Sequence, residues 1–226
     1  MQVYVNPRIN SDVYLKNPLE FDLGKKIIGQ SVHMIDSIGF EKFNFKKLGA
    51  EINSTEASIY RYFPNKHRLL IYLSAWYWEL LNYHISIKTA EIDDPQKKLE
   101  IAIRTMINIP EESQSNCFLK MCKLQQIVIE QFYKIVRSKK ILDQNESGYF
   151  ESYKKLVGVY ASIFLEIDQD FKFPRTMANT VIEMALSNHF CCNNLPSLTE
   201  IKCGVSQKDQ TEEMINYFCS RLLKKC

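Results

Sequence analysis

From Leu19 to Ile38 the apolar residues Leu23, Ile27, Ile28, Met34, Ile35 and Ile38 recur with a helical period, and Gly39 supplies the stop. Phe40, Phe43 and Phe45 follow. Leu48, Ile52, Ile59 and Phe63 then turn one face of two short helices inward. Pro64 ends the second of these, and Asn65 is a cap for a long helix running to about residue 90. That helix carries Tyr72, Trp76, Tyr77, Trp78 and Tyr83 on several faces, as expected of a rod sandwiched between the first domain and a second body. Glu91-Ile92-Asp93-Asp94-Pro95 is an acidic break with a proline suited to a helix start. Beyond it the pattern predicts helices at about 95–109, 115–138, 146–168, 174–194 and 207–224. The breaks between them are Pro110, residues 145–148, Pro174 and residues 193–196. No run has the alternation of a strand. The expected fold is all-α: a three-helix domain over residues 19–65, a connecting helix 66–90 and a bundle over 91–226, about nine helices in all. Residues 1–18 lack a helical period and read either as a flexible arm or as an extended segment packed on the first domain.

The two short helices have the grammar of a helix-turn-helix. Asn53 stands between them, where the backbone must tolerate left-handed angles, and Thr55 can cap the second helix. In such a motif the second helix lies in the DNA major groove. Residues 44–70 resemble the DNA-binding signature of the tetracycline-repressor (TetR) family. That signature is a helix, a Gly-Val-Ser turn, a recognition helix ending in Leu/Ile-Tyr-x-Tyr/His-Phe, and a Ser/Asn-Lys pair opening the next helix. Ile59-Tyr60-Arg61-Tyr62-Phe63 and Asn65-Lys66 match without a gap. Asn53 departs from the usual glycine, Ser54 from the usual apolar residue and Gly49 from the usual alanine. Asn is the mildest replacement in a left-handed turn. Gly49 costs about 1 kcal/mol of helix propensity against Ala, or permits close packing instead.

The resemblance implies a DNA surface. Glu56, Ala57, Ser58 and Arg61 present the first turn and exposed face of the recognition helix. There Arg61 could read guanine, Glu56 could accept from cytosine, and Ala57 could touch a thymine methyl. The rival reading of Arg61 is a solvated charge. Lys66 at a helix start suits a phosphate, as do the hydroxyls of Thr55, Tyr60 and Tyr62. Asn44 and Lys46 flank the helix that crosses the backbone. Either tyrosine could instead be a core aromatic. Charge agrees: residues 1–90 carry 11 Lys/Arg against 8 Asp/Glu, while the rest is balanced at 18 each, so the excess lies on the half with the motif.

The family likeness further implies that the bundle binds a small molecule and that the protein is a homodimer, with the late helices 174–194 and 207–224 as the seam. Met106, Phe118, Cys122, Gln125, Tyr153, Tyr160, Met184 and His189 are the candidate lining of an apolar pocket with a few polar groups. Ordinary core packing is the competing reading for each. Double-stranded operator DNA and an effector are the expected partners, with no cofactor. Nor is a metal expected: His189, Cys191, Cys192 and Cys203 lack ligand spacing, and nothing nearby in sequence lowers a thiol pKa. Neither a phosphate-cradling glycine loop nor a nucleophile elbow points to catalysis. The opening residues are not a signal peptide, no apolar run is long enough to span a membrane, and seven unpatterned cysteines suit a reducing cytoplasm. A helical adaptor with degenerate DNA binding is the alternative.

Overall fold

The computed structural model describes residues 7–108, 119–137 and 141–223. Pro110, Cys117, Phe118 and Cys226 lie outside them. Among the described residues there are ten α-helices and no strand. They are α1 (Asp22–Ile38), α2 (Phe45–Glu51), α3 (Glu56–Tyr60), α4 (Lys66–Thr89), α5 (Pro95–Ile107), α6 (Met121–Val136), α7 (Ile141–Glu146), α8 (Glu151–Ile167), α9 (Pro174–Asn194) and α10 (Gln207–Leu222). The helix over 141–146 is the one the periodicity does not predict, since six residues hold fewer than two turns of pattern.

The chain divides into two compact units, and the division does not follow the acidic break. One unit is Met1–Leu80 with Glu111–Ser152; the other is Leu81–Pro110 with Tyr153–Cys226. The helix α6, expected in the bundle, belongs to the first unit. Lys123 on α6 pairs with Asp36 and reaches His33 Nδ1 at 3.4 Å on α1. Further along α6, Lys134 pairs with Glu41 at 2.6 Å. The apolar side of α6 packs on α4, where Trp78 meets Phe132 edge-on at 6.2 Å. This explains why the first half of α4 carries aromatic residues on several faces. Residues 69–78 are all buried, covered by α6, by Phe63 in the turn after α3 (5.3 Å from Tyr72) and by the N-terminal segment (Tyr14 to Tyr72, 5.9 Å).

That segment is packed rather than free. Val13 is fully buried, the Leu15 amide donates to the Tyr62 carbonyl at 2.8 Å, and Asn10 donates to the Ser147 carbonyl at 3.2 Å. Lys16 holds its ammonium 3.5 Å from the Phe21 ring centroid.

In the second unit, α10 packs on α5 and α9. The buried Tyr160 hydroxyl donates to the Ala102 carbonyl at 2.8 Å. Two ion pairs lie on the outside, Lys98–Glu166 at 2.6 Å and Arg104–Glu212 at 2.8 Å. No helix among the described residues is long and apolar enough to cross a membrane.

Candidate DNA-binding surface

The helix-turn-helix is built from local backbone chemistry. Asn44 caps α2 by accepting from the Lys47 amide at 2.9 Å. At the other end of α2, Asn53 adopts φ 53°. Its amide donates to the Ala50 carbonyl, and the Ser54 amide donates to the Gly49 carbonyl at 2.8 Å. These two bonds are a Schellman closure with Asn in the left-handed position that glycine usually takes. Gly49 earns its place by contact: a Cβ there would sit 2.8 Å from the Ser54 carbonyl oxygen. The missing apolar side chain at Ser54 is thus offset by direct backbone packing. Gly49→Ala is expected to destabilise the protein by about 1–3 kcal/mol in a urea melt, the steric cost outweighing a helix-propensity gain of about 1 kcal/mol.

Thr55 then caps α3, accepting from the Ser58 amide at 3.2 Å and sharing a 2.8 Å hydrogen bond with the Ser58 hydroxyl. The helix buries Ile59 and exposes Ala57, Tyr60 and Arg61, with Glu56 and Ser58 half-exposed. Arg61 ends the helix and has no ion pair among the described residues. Lys46 is exposed on α2. Tyr60 packs its ring edge-on against Phe45 at 5.1 Å. Partial burial, with a hydrogen bond to the Glu56 carboxylate, raises the pKa of its hydroxyl, which stays a donor. Glu56 is therefore engaged one turn along its own helix, which limits its reach toward a base.

Two residues expected at phosphates are placed elsewhere. Tyr62 is only 4% exposed, a core aromatic whose carbonyl receives the N-terminal segment; Tyr60 is the exposed one of the two. The Lys66 ammonium donates to the carbonyls of Phe40 (2.9 Å), Glu41 (3.1 Å) and Phe43 (3.2 Å), and lies over the Phe40 ring. An ammonium has three hydrogens, and all three are taken. Lys66 closes the α1–α2 turn, and its side chain has no donor left for a phosphate. The cap of α4 is Asn65, which accepts from the Arg68 amide at 2.9 Å.

The expected effector residues are divided between the two units. Met106, Tyr153, Tyr160, Met184 and His189 belong to the second unit, whereas Cys122 and Gln125 lie on α6 in the first. Cys122 is exposed, so its thiol does not line an interior. Gln125 reaches the buried Tyr77 hydroxyl at 3.5 Å. Met106 and Tyr160 are core, while Tyr153 donates to Asn179 at 2.8 Å. A cleft of about 810 Å³ does exist in the first unit, between α1, the α2–α3 turn and the start of α6. Lys25, Lys26, His33, Lys120 and Lys123 line it beside Asp22 and Glu51, and none of the expected effector residues does.

Residues 27–73, spanning this geometry from α1 into α4, match the model described as bacterial regulatory proteins, tetR family. The N-terminal domain is that of a TetR-family regulator. Solved structures of other regulators share the fold over most of the chain. AibR, solved in complex with isovaleryl coenzyme A and operator DNA, aligns with TM-score 0.59 at 16% identity, covering 86% of this chain and 97% of AibR. A TetR transcriptional regulator from Legionella pneumophila aligns with TM-score 0.56 at 17% identity, covering 88% and 96%. The fatty acid degradation regulator FadR from Bacillus halodurans aligns with TM-score 0.55 at 16% identity, covering 88% and 93%. Among curated proteins, none matches the sequence. A TetR-type N-terminal domain within this fold is that of a DNA-binding transcriptional regulator.

Proposed function

We propose that the protein is a homodimeric repressor released from its operator by a small molecule. The observation that carries the DNA half is the division of α3: Ile59 and the following Tyr62 and Phe63 are buried, while Ala57, Tyr60 and Arg61 are exposed beside Glu56 and Ser58. Small residues at 57 and 58 let the helix backbone approach base edges. Thr55, Asn44 and Lys46 surround it with donors for phosphates. Two such helices would enter successive major-groove faces of a near-palindromic site, about 34–36 Å apart.

The dimer reading rests on the second unit, where α9 and α10 expose Phe190, Tyr217, Phe218 and Leu222. A second copy covering these groups gives a two-fold, self-complementary seam. Tyr153, Met184 and His189 are half-buried on α8 and α9 and are the candidates retained for effector contact. AibR, described with an acyl-coenzyme A and DNA, supports a small-molecule effector, and an acyl thioester is the first ligand to try. A hundredfold release needs about 2.8 kcal/mol of differential binding between the two states. The experiment is a gel shift on the intergenic DNA beside the gene. Binding should saturate as a dimer and weaken steeply with salt. A helical adaptor would bind no stretch in preference to bulk DNA, and that result would end the repressor reading.

A further inference from the structure

The α9–α10 connection brings together two thiols that are 11 positions apart in sequence. The Cys192 and Cys203 sulfurs lie 2.7 Å apart. The Cys203 thiol also donates to the Cys192 carbonyl, and it lies 3.5 Å from the Asn193 side-chain oxygen, at the exposed end of α9. A disulfide needs about 2.05 Å between sulfurs, so only about 0.7 Å separates this contact from a covalent bond.

We propose that Cys192 and Cys203 are a redox-active dithiol that a hydroperoxide converts to a disulfide, stapling the α9–α10 loop to the end of α9. This inference stands on the second unit alone and does not depend on DNA binding. The loop is already docked on both α9 and α10 just before Cys203: Thr199 donates to Asn188 at 2.8 Å, Ile201 is buried, and the Lys202 amide donates to Gln210 at 3.1 Å. Bond formation therefore asks for no refolding. The other thiols are placed differently. Cys219 is buried, and burial pushes its thiol up to about 12. Cys191 points to Ser187, 4.0 Å away, and Cys122 is on α6 in the other unit. Among the described residues no three His, Cys, Asp or Glu side chains cluster, so the pair is a dithiol and not part of a larger ligand set.

The order of events follows from exposure. Cys203 is exposed and Cys192 is buried, with its thiol pushed up to about 11 by burial and by Cys203 beside it. The Cys203 thiolate attacks the hydroperoxide; an S–O bond forms, the O–O bond breaks and an alcohol leaves after taking a proton. The Cys192 sulfur then attacks the sulfenyl sulfur. The S–S bond forms, the S–O bond breaks, and the Cys192 proton leaves with the hydroxide as water. Two electrons pass from the two sulfurs to the peroxide, and a thiol reductant reverses the reaction.

The test is a titration of the full chain with hydrogen peroxide, blocking of residual thiols with N-ethylmaleimide, and tryptic mass mapping without reduction. Cleavage after Arg175, Lys202 and Lys208 puts Cys191 and Cys192 in peptide 176–202 and Cys203 in peptide 203–208. The expected result is a 176–202/203–208 cross-link lighter by two hydrogens, retained in Cys191→Ser and lost in both Cys192→Ser and Cys203→Ser. Dithiothreitol should abolish it, and the oxidised wild type should melt higher than the reduced chain while Cys203→Ser shows no gain. Circular dichroism of each variant establishes that it is folded. A cross-link from Cys203 to any cysteine other than Cys192, or full alkylation of both thiols after peroxide, would overturn the assignment.

Discussion

Replacing Lys66 by methionine should lower unfolding stability by about 2–3 kcal/mol, read as a shift in the urea midpoint without a change in slope. The reason is the three-carbonyl cradle: the ammonium donates to Phe40, Glu41 and Phe43, and methionine keeps the apolar stem while removing every donor. A phosphate-clamp role would give the opposite signature. It would leave stability unchanged and reduce the salt dependence of DNA binding by about one ion. Lys66→Met measured by both urea melt and salt titration separates the two roles. A stable variant with a shallower salt slope would return Lys66 to the DNA surface.

The second large effect falls on Arg61. Arg61→Ala should weaken operator binding by about 1–3 kcal/mol and relax base preference at one position, while stability stays within about 0.5 kcal/mol. The side chain is exposed at the end of α3 and has no ion pair among the described residues, so little native structure is lost with it. Selection of bound sequences from a randomised pool is the measurement. An equal loss on every sequence would move Arg61 from base reading to phosphate contact.

These two residues show what a sequence can and cannot carry. Thr55, Asn53 and Gly39 do their work on the backbone within a few positions, and their chemistry is legible from type and spacing. Lys66 finds its acceptors 23 to 26 positions upstream, and nothing in the residues around it announces them. Tyr60 and Tyr62 are two apart on a helix end, so one had to face the core; only packing against Leu15 and Phe45 decides which. The crowding of aromatics on α4 correctly implied cover on several sides. The identity of the cover was hidden because α6 lies some fifty positions beyond α4's first buried residues and is held by Asp36 and Glu41. Effector residues were the least legible, since Met and Tyr at helical spacing look the same in a core as in a pocket. The Cys192–Cys203 contact is made by a loop, and loops have no period.

The way the N-terminal segment and α6 close over the first three helices bears on any attempt to shorten the protein. A fragment begun at Leu19 would strip Val13 from its seat and orphan the Tyr62 carbonyl. One ended after α4 would lay bare the aromatic flank of Trp78 and leave Asp36 and Glu41 without their lysines. The compact unit that carries the helix-turn-helix is discontinuous in sequence, and a minimal design would have to splice its two pieces across the excised span.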